Sequence, residues 1–400
     1  MNTKKIAYLL SFMFLFGTAF HAYAAEYDRY LVKTTAGAWK RYFGVRHSFD
    51  NGFTTDLSDF QVRFAKIFGL EVEPVTKLYV LPDGNHEDIV LEKEARPIRN
   101  NVKIQRATPL DQVPWGIEMV YDDHLLSKTS GGDGMNVAVV DTGILISHPD
   151  LKNRIKDCKN FSNPRVPVVD GKCEDKNGHG THVAGIIAAD GGSDGLGIFG
   201  IAPAANIYAY QVCSASGSCW ADDVALAIRT AADNGVNIIN LSLGSDSPSS
   251  LIYDAVVYAS GKNVLVVAAA GNDGPYVGSI DYPAANKEIV GVGALDVNKA
   301  VSDWSSRGIN SQTVAYVIDN GDIEFAAPGV SIESTWNDGG YAILSGTSMA
   351  APHIVGLAAK LWQKDAPAPA SATRDILHTL SADLLPLGDD NDSGWGMPSL

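Results

Sequence analysis

Four short segments of this 400-residue chain carry the residue types needed to cut an acyl bond. The first, Val137-Ala138-Val139-Val140-Asp141-Thr142-Gly143, ends an apolar run in a carboxylate. Alone, such an aspartate is an ordinary turn or cap residue. The second, Asn177-Gly178-His179-Gly180-Thr181-His182-Val183-Ala184-Gly185, sets a histidine between two glycines at the start of an Ala- and Ile-rich stretch. A zinc pair from His179 and His182 is disfavoured, because the i, i+4 spacing and the glutamate of a metallopeptidase helix are both absent. A neutral imidazole that takes and returns a proton near neutral pH suits the segment better. The third, Ser345-Gly346-Thr347-Ser348-Met349-Ala350-Ala351-Pro352-His353, places Ser348 at the entry to a helix-like stretch, with Pro352 expected in its tolerant early turn. In the fourth, Ala268-Ala269-Ala270-Gly271-Asn272, an apolar run ends in a carboxamide, a neutral donor that can face a developing oxyanion. Acid, base, nucleophile and donor are the parts of covalent acyl transfer.

The elements that must hold these groups are visible as a rhythm. Apolar runs at 136–140, 207–212, 236–243, 264–270 and 289–294 are each followed by small polar residues and then a helix-like stretch. Runs that are apolar on both faces suit parallel strands covered by helices on each side. The alternation therefore predicts an α/β domain whose chemistry gathers at the carboxyl ends of its strands. Residues 25–106 have a different texture, charged and mixed, with strand-like stretches at 30–33 and 77–81.

Composition bounds the function. With 46% hydrophobic residues the chain can bury a large core, and its net charge of -15 argues against a nucleic-acid partner, whose phosphates demand clustered lysine and arginine. Lys4 and Lys5, the apolar run 6–20 and Ala22-Tyr23-Ala24 have the form of a secretory signal peptide. The run is too short to span a bilayer, and no later run is longer, so no membrane association is expected after signal removal. Export makes the cysteines disulfides. Of three connectivities the local one, Cys158 with Cys173 and Cys213 with Cys219, is favoured, and loop entropy gives the first bridge about 3 kcal/mol. Their spacing fits no usual zinc pattern. The acidic run 389–392 lacks the later glutamate of an EF-hand loop and reads as a solvated turn.

VAVVDTGI, NGHGTHVAG, AAAGN and SGTSMAAPH, in this order, resemble the four signature segments of the subtilisin-like serine peptidases. The order Asp, His, Ser separates the chain from the chymotrypsin and α/β-hydrolase orders, and Ser348 lacks the following glycine of a nucleophile elbow. The resemblance implies a three-layer α/β catalytic domain on a parallel sheet at 108–400. Ahead of it would stand a signal peptide at 1–24 and a small α+β inhibitory propeptide at 25–107, removed by self-cleavage. It further implies a secreted or periplasmic, monomeric endopeptidase acting on proteins or peptides, with its own propeptide as intramolecular inhibitor. Asp141, His179 and Ser348 would be catalytic and Asn272 the oxyanion donor.

In such enzymes a peptide adds as a strand between two edges, here matched by Leu241, Ser242, Leu243 and Gly244 and by Ser216, Gly217 and Ser218. The Cys213–Cys219 bridge would bracket the second edge. Gly278-Ser279-Ile280-Asp281-Tyr282-Pro283-Ala284 resembles the family's wall of the pocket for the residue on the acyl side of the cut, and the resemblance puts Asp281 at its base. It either pairs with lysine or arginine there or caps a turn, leaving an aromatic and aliphatic preference. The resemblance also implies a structural calcium ion held by Gln112, Asp150, Asp190, Gly192, Asp194 and Ile198. Residues 308–322 are additional to the shortest relatives, and the sequence assigns them no role.

Overall fold

The computed structural model describes residues 28–80, 105–107, 113–193, 196–311, 317–384 and 386–400. The signal-peptide reading and the calcium positions Gln112 and Asp194 lie outside these residues. The chain divides into two compact units, Met1–Pro74 and Val75–Leu400.

The first unit is a small α+β fold. Strands β1 (Asp28–Val32), β2 (Ser48–Phe49), β3 (Gly52–Leu57) and β4 (Val72–Pro74) form an antiparallel sheet in the order β2-β3-β1-β4. Helices α1 (Gly37–Phe43) and α2 (Asp59–Ile67) enclose a core of Val32, Trp39, Phe43, Phe53, Leu57 and Phe64. The start of α2 is encoded locally. Ser58 accepts from Gln61 N while the Gln61 side chain returns to Ser58 N, a capping box that satisfies two otherwise free amides.

In the second unit the strands are β5 (Lys77–Val80), β6 (Gln105–Ala107), β7 (Asn136–Asp141), β8 (Ile155–Asn160), β9 (Val169–Asp170), β10 (Asn206–Gln211) and β11 (Ser218–Trp220). They continue with β12 (Ile238–Leu241), β13 (Leu243–Gly244), β14 (Leu265–Ala269), β15 (Ile289–Leu295), β16 (Phe325–Pro328), β17 (Ile332–Thr335), β18 (Tyr341–Leu344), β19 (Ser381–Ala382) and β20 (Met397–Pro398). The helices are α3 (Trp115–Tyr121), α4 (His179–Ala188), α5 (Ala221–Asp233), α6 (Ser250–Ser260), α7 (Thr347–Lys360) and α8 (Pro369–Thr379).

The central sheet runs β16-β15-β14-β12-β7-β10-β8-β9, parallel throughout except for the last pair. The apolar runs of the sequence become β7, β10, β12, β14 and β15, each buried along its length except for the first residues of β7 and β10. The run at 236–243 is broken by Ser242 into β12 and β13. Strand β8 had no sequence signal, because near the sheet edge it is half-buried and built from Ile-Lys-Asp-Cys-Lys-Asn. Helix α7 passes through the core against β12, β14, β15 and β16 and is buried from Thr347 to Ala359. Among the described residues no helix is long and apolar enough to cross a membrane.

Both favoured disulfides form, Cys158–Cys173 and Cys213–Cys219. The acidic run is not a solvated turn. Asp389 and Asp390 are buried, and Asp390 accepts from Asp392 N at 2.6 Å and from Ser393 N at 2.7 Å. Asn310 Nδ2 donates to Asp389 at 2.6 Å, and Asp392 pairs with Arg307 at 2.6 Å. The additional residues supply the cover. Gly308 N bonds Asn391 O, and Ile309 N bonds Gly321 O, folding the described ends of the 308–322 segment onto the acidic run.

Candidate active site

The rim formed by the carboxyl ends of β7, β12 and β14 and the first turns of α4 and α7 gathers the predicted chemistry. Asp141 ends β7 and is fully buried. One of its oxygens accepts from Thr142 N at 2.6 Å, and the two lie 2.9 and 3.0 Å from His179 Nδ1. This carboxylate therefore selects the tautomer with the proton on Nδ1 and leaves Nε2 basic. The glycines flanking His179 make the approach possible. A Cβ on Gly180 would stand 2.2 Å from Gly143 O and 3.1 Å from the Asp141 carboxylate, and one on Gly178 would strike the Trp336 ring at 2.2 Å.

Asp175 organises this turn and was not anticipated from sequence. It accepts from Thr142 Oγ1, Asn177 N, Gly178 N, Thr181 N and Thr181 Oγ1 at 2.6–3.0 Å, taking up amides that the start of α4 leaves free. An aspartate three residues ahead of Gly178 was the available signal. His182 belongs to the scaffold. Its Nε2 faces the carbonyls of Ile332 and Ala342 at 3.0 and 3.1 Å, and burial pushes its pKa down to about 3. Nε2 of the neutral ring is thus committed as a donor to two carbonyls, and Nδ1, which carries the lone pair, is buried without a hydrogen-bond partner.

Ser348 is the second residue of α7, after Gly346 as N-cap. Its Oγ lies 3.3 Å from Ser242 O. Pro352 is not in the early turn where it was expected but is the sixth residue of the helix. Its missing N–H would have bonded Ser348 O, and Ser242 Oγ donates to that carbonyl instead, at 2.9 Å. The break in the helix ladder thus ties the backbone of Ser348 to the link between β12 and β13.

Asn272 follows β14 and is buried. Its Oδ1 accepts from both Thr347 N and Thr347 Oγ1 at 3.0 Å, which fixes the amide orientation and turns Nδ2 the other way. A Cβ built on Gly346 would stand 3.4 Å from Asn272 Nδ2 and 3.7 Å from Ser348 N. Two donors therefore flank one small volume that glycine leaves open beside the serine.

The two expected edges face each other across a third strand. β5 runs between β11 and β13, antiparallel to both, with Val80 opposite Leu243, Tyr79 opposite Gly244 and Ser218, and Val80 N donating to Gly217 O at 2.9 Å. Ser216 sits in the exposed turn of the Cys213–Cys219 loop. Asp281 is buried beside this groove, and burial pushes its carboxyl up to about 8, with Asp273 and Asp246 adding to the shift.

For the calcium positions, Asp150 Oδ2 accepts from Ile198 N at 2.9 Å and Tyr341 OH at 3.0 Å, while its Oδ1 is buried without a hydrogen-bond partner. The Cβ that Gly197 lacks would lie 2.3 Å from that Oδ1 and 2.6 Å from Gly191 O, so two oxygens converge on one space. The Asp190 carboxylate is engaged by Arg154 at 3.2 Å and Gly192 N at 3.1 Å, leaving its carbonyl as the atom it can offer.

Residues 132–396 match the Subtilase family. The chain is 42% identical over 384 residues to Subtilisin of Bacillus sp. (strain TA39), covering 90% of this chain and 87% of that protein. It is 41% identical over 285 residues to Subtilisin Savinase of Lederbergia lenta, 71% and 96% of the two chains. Among solved structures, S41 Psychrophilic Protease is 46% identical with a TM-score of 0.70, over 74% of this chain and all of that one. Sphericase has the same identity and TM-score over 73% and 99%. Matched over most of its length in sequence and in fold, this serine endopeptidase belongs to the subtilase family.

Proposed function

We propose that the chain is a secreted endopeptidase that works through an acyl-enzyme, with Asp141, His179 and Ser348 as its triad and Asn272 as oxyanion donor. The observation that carries this reading is the buried His179 Nδ1–Asp141 pair at 2.9 Å, set on the same rim as a serine whose helix anchors Asn272. His179 Nε2 takes the proton of Ser348 as Oγ attacks the scissile carbonyl. Asp141 holds the ring and stabilises its charged form. The carbonyl oxygen, becoming negative, is met by Asn272 Nδ2 and Ser348 N in the volume beside Gly346. The imidazolium returns the proton to the leaving amine, and water then repeats the sequence to release the acid.

Substrates are proteins or peptides, bound as a strand between Leu241–Gly244 and Ser216–Ser218. That Lys77–Val80 pairs with both edges supports reading residues 25–107 as an inhibitory propeptide, because it engages the groove as an extended substrate would. The enzyme is exported by its N-terminal signal and acts as a monomer. Gln112, Asp150, Asp190, Gly192, Asp194 and Ile198 would be the residues to hold a structural calcium ion, which would supply a cross-link within the native fold; the buried, unpartnered Asp150 Oδ1 fits that role. The test is Ser348→Ala expressed in a protease-free host and weighed by intact mass. The variant is expected to keep residues 25–107, which the wild type loses. A normally trimmed variant would overturn both the nucleophile and the self-cleavage.

A further inference from the structure

Three carboxylates that the fold brings from separate segments meet beside the groove. Asp246, Asp273 and Asp281 each bring one carboxylate oxygen within 4.8 Å of the other two. Asp246 and Asp273 are exposed, whereas Asp281 is only 4% exposed. Among the described residues no hydrogen bond or ion pair reaches the Asp281 carboxylate; its neighbours in charge are Asp273 and Asp246, both negative. A buried carboxylate without donors is costly unless it holds its proton or receives a cation.

The position of Asp281 says where that cation comes from. Asp281 N bonds Ala270 O at 2.8 Å, and the next residue, Tyr282, exchanges backbone hydrogen bonds with Ser245 at 2.9 Å. The segment is therefore stitched to the chain just before Asn272 on one side and just after Gly244 on the other. Asp281 Oδ2 lies 2.7 Å from a Cβ built on Gly244 and 2.8 Å from one built on Gly271. Gly244 belongs to the edge that pairs with an extended strand, and Gly271 precedes the oxyanion donor. The carboxylate thus forms the floor of the space entered by the side chain on the acyl side of the cut bond. Three oxygens so spaced leave a point within about 2.8 Å of all of them, the length of a charge-assisted N–H···O bond. An ammonium brings three such donors and a guanidinium five.

We propose that Asp281, reinforced from the rim by Asp246 and Asp273, selects substrates with lysine or arginine on the acyl side of the scissile bond. The proposal rests on the endopeptidase reading of the same groove and names its substrate class. A divalent ion is the less suited occupant, since calcium takes six to eight oxygens and the cluster converges only one oxygen from each of its three carboxylates. The raised pKa gives the selection a pH dependence. Below about pH 8 the empty pocket holds its proton and a cation must displace it, so the preference for a cation grows as pH rises toward that value.

The experiment measures kcat/KM on matched tetrapeptides ending in Arg, Lys, Leu and Phe at pH 6.5 and pH 9. It compares the wild type, Asp281→Asn, and the double variant Asp246→Asn/Asp273→Asn, whose changes lie on the surface. The wild-type Arg-to-Leu ratio should exceed one at pH 9 and fall about tenfold or more at pH 6.5. Asp281→Asn should lower the pH 9 ratio at least tenfold and flatten its pH dependence, and the double variant should lower it severalfold. An unchanged ratio in Asp281→Asn with native melting, or Leu and Phe exceeding Arg tenfold in the wild type at pH 9, would overturn the proposal. So would a ratio that rises on chelation and falls on adding calcium, which identifies a metal as the occupant. Cleavage of the Leu peptide that disappears in Ser348→Ala keeps the endopeptidase reading intact when the charge preference fails. Absence of cleavage of every peptide removes both.

Discussion

Replacing Asn272 separates two jobs that one side chain performs. Its Oδ1 accepts from Thr347 N and Oγ1, and its Nδ2 faces the volume beside Gly346 and Ser348 N. Asn272→Leu removes both functions at nearly constant volume. The amide of the buried Thr347, left without its acceptor while the hydroxyl keeps its bonds to Gly271, should lower folding stability by about 1–3 kcal/mol. Loss of the donor acts only on charge that appears in the transition state, so kcat should fall about 10²–10³-fold with KM little changed. That range is known for the corresponding donor in a subtilisin and is carried over rather than calculated. Asn272→Asp isolates the second job. It keeps acceptors for Thr347, and so most of the stability, but replaces the donor with a negative oxygen beside the developing oxyanion. Its kcat should be at or below that of the leucine variant. Active-site titration normalises the rates on a chromogenic peptide, and thermal melts read the stability. Turnover of Asn272→Asp within tenfold of wild type would refute the oxyanion role, as would a loss confined to KM.

Two further outcomes concern stability. Burial alone would raise the Glu324 pKa, but the charge and hydrogen bonds of Arg374 and the hydrogen bond from His378 hold it down at about 2. A carboxylate with a lowered pKa stabilises the fold above its ordinary value near 4.5 and loses that contribution as pH falls toward 2. Glu324→Gln, which strands Arg374, should therefore cost about 3–5 kcal/mol at pH 7 in denaturant titration, with the gap closing between pH 4.5 and 2; a gap independent of pH would refute the ion-pair account. Calcium at a hundred times its dissociation constant should add about 2.7 kcal/mol by binding the native state alone. A chelator should accordingly lower the melting temperature of the wild type but not of Asp150→Ala, and equal melting of the wild type with and without chelator counts against the site.

The segments around Asp141, His179, Ser348 and Asn272 were legible because each chemical group sits at the end of a local pattern. A fully apolar run reads as a buried parallel strand, and the first polar residue after it must lie at the sheet rim. Glycine beside His179 reads as close approach, and the gaps to Gly143 O and the Trp336 ring bear this out. Such signals span a few residues, the range over which backbone propensity and side-chain periodicity act. The tertiary structure decided what depends on partners distant in the chain. Pro352 looked like an early-turn proline, but its place in α7 is tolerated because Ser242, 106 residues away from Ser348, occupies the vacated carbonyl. Asp389 and Asp390 looked solvated, but both are buried, and Gly308 and Asn310 bond to the same acidic run. Asp281 was visible as an aspartate near a pocket, but its two acidic neighbours were not. Burial and charge density depend on everything that arrives within a few ångströms, and no window of local sequence contains Asp246, Asp273 and Asp281 together.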